Sequence, residues 1–261
     1  LQPHDEQNSE CSCLLFNIHE NTVVERRFSV SGATPQLLKE EIVHQLKISE
    51  QSLKGKYRLL PAFVETLSDP GGNFTHPERN KILAEDVFLY PELKDNTGEE
   101  ESKTIYADKI IQASTEGDKT LLLGEDEAGK TFLLKRIFLD LHNQGLIPLY
   151  IKATDLTSVS DRELDKKIAA LAENQYCQAE EINYAPKKNK IAIVDDIDRI
   201  SGGARSQLKL IQHLEKNFSS IYVTANSRYQ ISELVDVDAA ESLADFSTYT
   251  IRPFGLSMRH K

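Results

Sequence analysis

Long apolar runs, paired cysteines and clustered cations are what this sequence lacks. No stretch approaches the ~20 apolar residues of a membrane-spanning helix, so neither such a helix nor a membrane partner is expected. Residues 1–10 carry neither the basic start nor the apolar stretch of a secretory leader, and they begin on Leu1, as a fragment of a longer chain would. Cys11, Cys13 and Cys177 are an odd and sparse set. The Cys11-Ser-Cys13 spacing does not suit a zinc knuckle and no second pair completes one, so a reducing, cytoplasmic compartment is expected. Lys and Arg number 31 against 41 Asp and Glu, a net charge of −10. Phosphate-backbone contacts need clustered cations, and no basic run interleaved with aromatics offsets the acidity. On charge alone the chain is a poor candidate for direct nucleic-acid binding.

Several chemistries are also missing. The seven histidines form no His-Glu-x-x-His pair, and there is no Gly-x-Ser-x-Gly elbow, which argues against catalytic zinc and serine hydrolysis. The Asn-Lys-x-Asp pattern of guanine recognition is absent, because Asn80-Lys81-Ile82-Leu83 and Asn189-Lys190-Ile191-Ala192 both lack the acid. No arginine-rich segment suits the lid of a small-molecule kinase.

What is present suits one main domain with a smaller appendage: 261 residues, 39% of them hydrophobic, enough for a core. Residues 1–10 are polar and expected to be disordered. Residues 11–50 read as a β-hairpin plus helix. Cys13–Ile18 and Thr22–Val30 flank a polar turn, and Pro35 opens a helical pattern of Leu37, Leu38, Ile42, Val43 and Leu46. Residues 51–103 read as a connector with a turn at Ser68–Asn73, a strand at Val87–Tyr90 stopped by Pro91, and an acidic boundary at Asp95–Ser102. Asn73-Phe-Thr75 matches the glycosylation pattern incidentally.

Residues 104–261 change character. Five apolar runs, Thr120–Leu123, Ile147–Ile151, Ile191–Val194, Ile221–Val223 and Tyr249–Ile251, alternate with helical patterns. Phe132, Leu134, Ile137, Phe138 and Leu141 share a face, and Gly145 suits a helix C-terminus. Ser160-Asp-Arg-Glu163 reads as a capping box before Leu164, Ile168 and Leu171, and a third helix carries Leu208, Ile211 and Leu214. Strands alternating with helices predict an α/β fold, a doubly wound parallel sheet covered on both faces.

Gly124-Glu-Asp-Glu-Ala-Gly129-Lys130-Thr131 fits G-x-x-x-x-G-K-[ST] between an apolar strand and a helix that Phe132 continues. The spacing lets the backbone curl around a phosphate with its N–H groups inward. Lys130 then supplies a cation to the β- and γ-phosphates, and Thr131 offers its hydroxyl to magnesium. Gly124, Glu125, Asp126, Glu127, Ala128, Gly129, Lys130, Thr131 and Phe132 are therefore the expected contacts for ATP or ADP. The acids Glu125, Asp126 and Glu127 fall mostly at variable positions and are expected to point to solvent.

Lys190-Ile-Ala-Ile-Val-Asp195-Asp196-Ile-Asp198-Arg199 places carboxylates at the end of a buried strand, the edge where such sheets bind ligands. Asp195 is the expected direct or outer-sphere partner of a Mg2+ ion shared with Thr131, and Asp196 the residue that orients or deprotonates an attacking water. One strand intervenes between loop and acids and two follow. That order predicts the additional-strand class of P-loop ATPases, with spatial order 5-1-4-3-2. A γ-phosphate sensor then falls at Thr224, Asn226 or Arg228, and Arg199, Arg205, Arg252 and Arg259 are further candidate fingers.

The phosphate loop, the Asp195-Asp196-Ile-Asp198 strand end, Val223-Thr224-x-x-x-Arg228 and Ile251-Arg-Pro-Phe254 together resemble the NACHT/AP-ATPase-like core of STAND NTPases, over roughly residues 105–261. The family's acidic strand usually reads Asp-Gly-x-Asp-Glu, whereas Asp196 and Arg199 stand here in place of the glycine and the last acid. Residues 11–31 and Val87–Leu93 also resemble the connector of bacterial proteins in which a calcineurin-like phosphoesterase precedes a STAND module, without that enzyme's metal motifs. The resemblance implies an ATP- and Mg2+-dependent switch of innate immunity or anti-phage defence. Such a module hydrolyses ATP slowly and assembles with itself or with a trigger protein bound by C-terminal domains. The alternative is a nucleotide-binding scaffold for protein contacts that does not hydrolyse.

Overall fold

The structure, a computed structural model, describes residues 9–17, 22–30, 56–71, 82–96, 104–112, 117–228 and 245–253. The expected helix over 35–46, residues 1–8, Asn73, Phe254 and Arg259 lie outside the described residues. The chain divides into two compact units, residues 1–53 and 54–261.

In the first unit β1 (Ser9–Asn17) and β2 (Thr22–Val30) form an antiparallel hairpin, with Asn17 opposite Thr22 and Ser9 opposite Val30. Ser9 and Glu10, expected to be disordered, belong to β1.

The second unit runs α1 (Pro61–Ser68), α2 (Ala84–Val87), β3 (Glu92–Asp95), β4 (Thr104–Tyr106), α3 (Ala107–Gln112), β5 (Lys119–Gly124), α4 (Lys130–Asn143), β6 (Ile147–Lys152), α5 (Asp161–Gln175), α6 (Ala179–Asn183), β7 (Lys190–Asp195), α7 (Gly203–Asn217), β8 (Ser220–Asn226) and β9 (Ser247–Ile251). One seven-stranded sheet has the order β4-β3-β9-β5-β8-β7-β6. From β9 to β6 every pairing is parallel, and numbered from the phosphate-loop strand the order reads 5-1-4-3-2. β3 and β4 extend it past the fifth strand with antiparallel pairings.

This flank differs from the sequence reading. The strand expected at Val87–Tyr90 is instead the end of α2 followed by irregular chain, and pairing begins after Pro91, which has no N–H to give a ladder. Residues 92–95, assigned to the connector, form a sheet strand that pairs with residues 104–106 at the start of the expected core.

β6, β7 and β8 are buried along nearly their whole length, so the sheet is covered on both faces there. Leu133, Leu134, Ile137, Phe138 and Leu141 of α4 lie at or below 1% exposure; four of them belong to the helix-period stripe the sequence predicted, while Leu133 takes the place of Phe132, which is only half-buried. Gly145 ends α4 at φ 90°, a conformation in which a side chain would be strained, and its N–H donates to His142 O at 2.9 Å. Ser160 caps α5 by position only. Glu163 of the expected capping box bonds Lys166 at 2.9 Å instead of reaching back to the N-cap.

Gln175 closes the outer edge of β6. Its amide donates to Tyr150 O at 2.7 Å and accepts from Tyr150 N–H at 3.0 Å, as a further strand would. Tyr176 adds a hydroxyl bond to Pro148 O at 2.6 Å. The strand ending nearest the acids is therefore held on both sides.

Candidate functional site

The loop between β5 and α4 is built around two glycines. A Cβ at Gly124 would lie 3.2 Å from Ala128 Cβ and 3.3 Å from Lys130 Cγ, so the close turn needs its absence. Gly129 is the N-cap of α4 at φ 87°, in the left-handed region. The first N–H groups of α4 then face outward without helical partners, the usual origin of anion affinity at a helix start. Lys130 is 7% exposed, and its ammonium donates to Gly124 O at 3.0 Å and Glu125 O at 2.9 Å, leaving one of its three protons to point elsewhere.

Opposite this loop the end of β7 brings Asp195 to Thr131. Thr131 Oγ1 donates to Asp195 Oδ2 at 2.8 Å. Tyr150 on β6 donates to the same oxygen at 2.6 Å, and Thr224 on β8 donates to Oδ1 at 2.7 Å. Register explains the meeting. Tyr150 pairs with Ile193 and Val194 with Val223, so Tyr150, Asp195 and Thr224 fall on one face within a rung of each other. Burial, reinforced by the Asp195 charge, pushes the Tyr150 phenol far above its ordinary range and keeps it a proton donor.

Asp196 adopts φ 54°, uncommon for a residue with a side chain, and its N–H donates to Thr224 Oγ1 at 2.9 Å. Its carboxyl is pushed above the usual range by burial first and by the Asp195 charge second, with Arg199 and Lys130 pulling the other way. Thr224 thus orders both acids. It is fully buried at 0% exposure, so it does not face a γ-phosphate directly.

The other sensor candidates separate. Asn226 Nδ2 donates to Asp126 Oδ1 at 3.3 Å, at the mouth of the loop. Arg228 is exposed, its N–H donates to Asn226 Oδ1 at 3.1 Å, and it lines neither cleft described below, because the chain turns back where Ser227 N–H bonds Gly124 O. Arg199 does reach the loop, with Nη2 3.1 Å from Asp126 Oδ1 and Nε 3.7 Å from Asp196 Oδ2. Arg252 lines the larger cleft and Arg205 is exposed on α7. The loop acids are exposed but not idle. Asp126 is bound as above, and Glu125 accepts a hydrogen bond from Ser227 Oγ.

Two clefts meet at the loop. One of about 820 Å³ has apolar walls from Val87, Leu89, Ala128, Ile251 and Pro253. The other, about 420 Å³, is lined by Lys130, Thr131, Lys135, Asp196, Arg199 and the Asp69–Gly71 turn. Lys135 donates to Asp69 O at 3.1 Å, and burial pulls its ammonium below the usual range against the opposing charges of Asp69 and Asp195. The apolar wall is tied to α4 by rings. Phe88 meets Phe132 and Tyr90 edge to face at 5.2 and 5.0 Å, Arg136 lies over Phe88 and Tyr90 at 5.8 and 5.6 Å, and the Tyr90 hydroxyl donates to Asp140. Phe132 therefore anchors this wall from the helix. The sequence reading missed Tyr150, Lys135 and Val87–Leu89 as parts of the site. A lone tyrosine in the Ile-Pro-Leu-Tyr-Ile strand was the only available signal for the first of them.

No protein-family model and no curated protein matches the sequence. Among solved structures, AMPPCP-bound DnaA from Aquifex aeolicus is similar, with TM-score 0.42 and 16% identity over 59% of this chain and 46% of that one. The replication initiator DnaA bound to AMPPCP and single-stranded DNA gives 0.41 and 15% over 57% and 44%. Aeropyrum pernix ORC1 in complex with DNA gives 0.38 and 16% over 58% and 44%. The chain spans less than half the length of each. Two of these proteins are DNA-bound, and the exclusion of nucleic acid drawn from net charge does not stand. A charge of −10 sums the whole chain, whereas phosphate contacts depend on local clusters. Among the described residues no helix is long and apolar enough to cross a membrane.

Proposed function

We propose that this chain is the ATP-binding switch of a STAND-type signal-transducing NTPase, acting in antiviral or innate immune defence, in which Mg-ATP binding promotes assembly and slow hydrolysis resets it. The observation that carries the nucleotide reading is the 2.8 Å bond from Thr131 to Asp195, which joins the phosphate loop to the acidic strand end at one point. In this reading the N–H groups of Gly124–Thr131 and the start of α4 receive the β- and γ-phosphates, and Lys130 neutralises them. The base and sugar lie against Val87, Leu89, Ile251 and Pro253, and the γ-phosphate enters the smaller cleft.

The donor set fits magnesium. Among the described residues no three His, Cys, Asp or Glu side chains form a metal cage. Magnesium usually takes one or two protein oxygens beside substrate phosphates and waters; Thr131 would supply one, with Asp195 as a direct or outer-sphere partner. When bound, the ion offsets charge developing on the phosphate oxygens. Asp196, whose carboxyl is pushed above its usual range by burial and by the Asp195 charge, would orient or deprotonate the water that attacks; Arg199 reaches the same cleft from one side. The STAND assignment rests on the residue-level resemblance of Gly124–Thr131, Asp195–Asp198, Val223–Arg228 and Ile251–Phe254.

Lys130→Ala is expected to weaken ATP binding by a factor of ten or more in calorimetric titration, and an unchanged affinity overturns the reading. The non-hydrolysing scaffold is favoured by one observation, the carboxylates of Glu125 and Asp126 fixed at the mouth of the loop. Asp196→Asn separates the two: loss of turnover with ATP binding retained supports the hydrolysing switch, and a wild-type protein that binds without turnover supports the scaffold.

A further inference from the structure

Asp195 is 5% exposed and accepts three hydroxyl protons, from Thr131 and Tyr150 on Oδ2 and from Thr224 on Oδ1. A carboxylate offers about four acceptor positions, so three are filled and the remaining one lies on Oδ1. A hydroxyl that gives its proton to Asp195 keeps its own lone pairs for a cation, which suits Thr131. An aspartate held this way has little freedom to turn both oxygens onto an ion, and the free Oδ1 position suits a water of the ion's shell.

The phenol is delivered rigidly. Tyr150 is 6% exposed, and its backbone is clamped by both atoms of the Gln175 amide on one side and by the β7 ladder on the other. Its ring lines neither cleft. Neither the phosphate-loop motif nor the acidic strand end calls for a tyrosine on the edge strand.

We infer that Tyr150 is a positioning residue that, together with Thr224, fixes the Asp195 carboxylate for an outer-sphere contact to the ion of a metal-bound nucleotide. The inference rests on the nucleotide reading above. It makes the gain in ATP affinity on adding magnesium, rather than the affinity itself, the quantity that Tyr150 controls. Asp195 is then itself an outer-shell partner of the ion; losing such a partner costs about 10–100-fold in metal affinity, and loosening it is expected at the lower end of that range.

The test is ATP titration by calorimetry with and without magnesium on the wild-type chain, Tyr150→Phe and Tyr176→Phe. The last removes a buried hydroxyl from the same strand edge without touching Asp195, since it bonds Pro148 O. Affinity in excess EDTA is expected to be equal in all three, while the magnesium gain falls about tenfold in Tyr150→Phe alone. A full gain in Tyr150→Phe, or an equal loss in Tyr176→Phe, overturns the inference in favour of a structural tyrosine. If Tyr150→Phe does not fold, Thr224→Val takes its place: the same loss of gain is expected there, and a full gain overturns the inference. A wild-type chain that binds no ATP in either buffer overturns the nucleotide reading and the inference with it. A chain that binds ATP but shows an unchanged gain in Tyr150→Phe overturns only the inference.

Discussion

Strands β5 to β8 and the flank of β9, β3 and β4 share one sheet but hold their halves of the site by different means. In the centre, directional bonds converge on one buried carboxylate from three elements, α4, β6 and β8. At the flank, Val87 is 39% exposed, β9 is only half buried until Ile251, and the cleft wall is fastened to α4 by ring contacts. In the proposed reading the difference follows from what each half would grip. A metal-bound phosphate is read by oxygen positions to within tenths of an ångström, which demands a fixed register. A flat apolar base is read by shape, and an adjustable wall suffices. Softer elements are also where opening costs least.

The contrast breaks most visibly in the centre. Phe138 is 0% exposed and meets Phe63 edge to face at 5.3 Å. Phe138→Ala is expected to cost about 3–5 kcal/mol, read as a lower urea midpoint with loss of all nucleotide binding where the fold is lost. Phe88→Leu at the flank removes two edge-to-face pairs and a cation–π contact and is expected to cost about 1–2 kcal/mol. Its signature is a weaker affinity for ATP with the magnesium gain intact. A loss of the gain in Phe88→Leu would show that the halves are not separable.

The same division marks what was legible in the sequence. The central strands announce themselves because both faces are buried: Leu121–Leu123, Ile191–Val194 and Ile221–Val223 are continuous apolar runs. The phosphate loop was legible because its glycines serve local backbone needs at Gly124 and Gly129. The flank was not, since Glu-Leu-Lys-Asp at 92–95 buries only Leu93 fully and pairs with residues 249–251 far along the chain. Tyr150 was missed for a related reason. Sequence shows a strand but not its lateral register, which pairs Tyr150 with Ile193 on the face of Asp195, within reach of its hydroxyl. The loop acids were expected in solvent; their exposure was right, but Asp126 meets Arg199 and Asn226 through contacts that only the folded strand ends create.

Asp196 sharpens the comparison through pH. Its folded pKa lies above the ordinary value of 3.8, from burial first and the Asp195 charge second, so its charged form costs stability in the nucleotide-free protein. Below the unfolded pKa the group is neutral in both states and the cost vanishes; as pH rises through the folded pKa the cost appears in full. Asp196→Asn is therefore expected to melt higher than wild type at neutral pH, by less than about 1 kcal/mol for a partly solvated group, with the difference closing as pH falls toward 3.8. Asparagine tolerates the φ of 54°, so backbone strain does not mask the effect. A gap that is constant with pH would assign the change to packing rather than charge.

The smallest expected effect lies at the mouth of the loop. Asp126 and Arg199 are 3.1 Å apart, but their side chains are 67% and 53% exposed, and ion pairs in water contribute about 0–1 kcal/mol. Asp126→Asn should leave the melting temperature nearly unchanged and abolish whatever small salt dependence the pair confers, since screening acts on exposed charges within a Debye length. Its consequence for binding is of opposite sign. Removing a carboxylate beside the phosphate loop lowers the repulsion felt by an incoming polyphosphate and frees Arg199 and Asn226, which Asp126 now occupies. ATP affinity should rise a few-fold at low salt and converge with wild type at high salt. If instead it falls, Asp126 holds those two groups in the orientation the nucleotide needs, and the mouth of the loop belongs with the rigid centre rather than the adjustable flank.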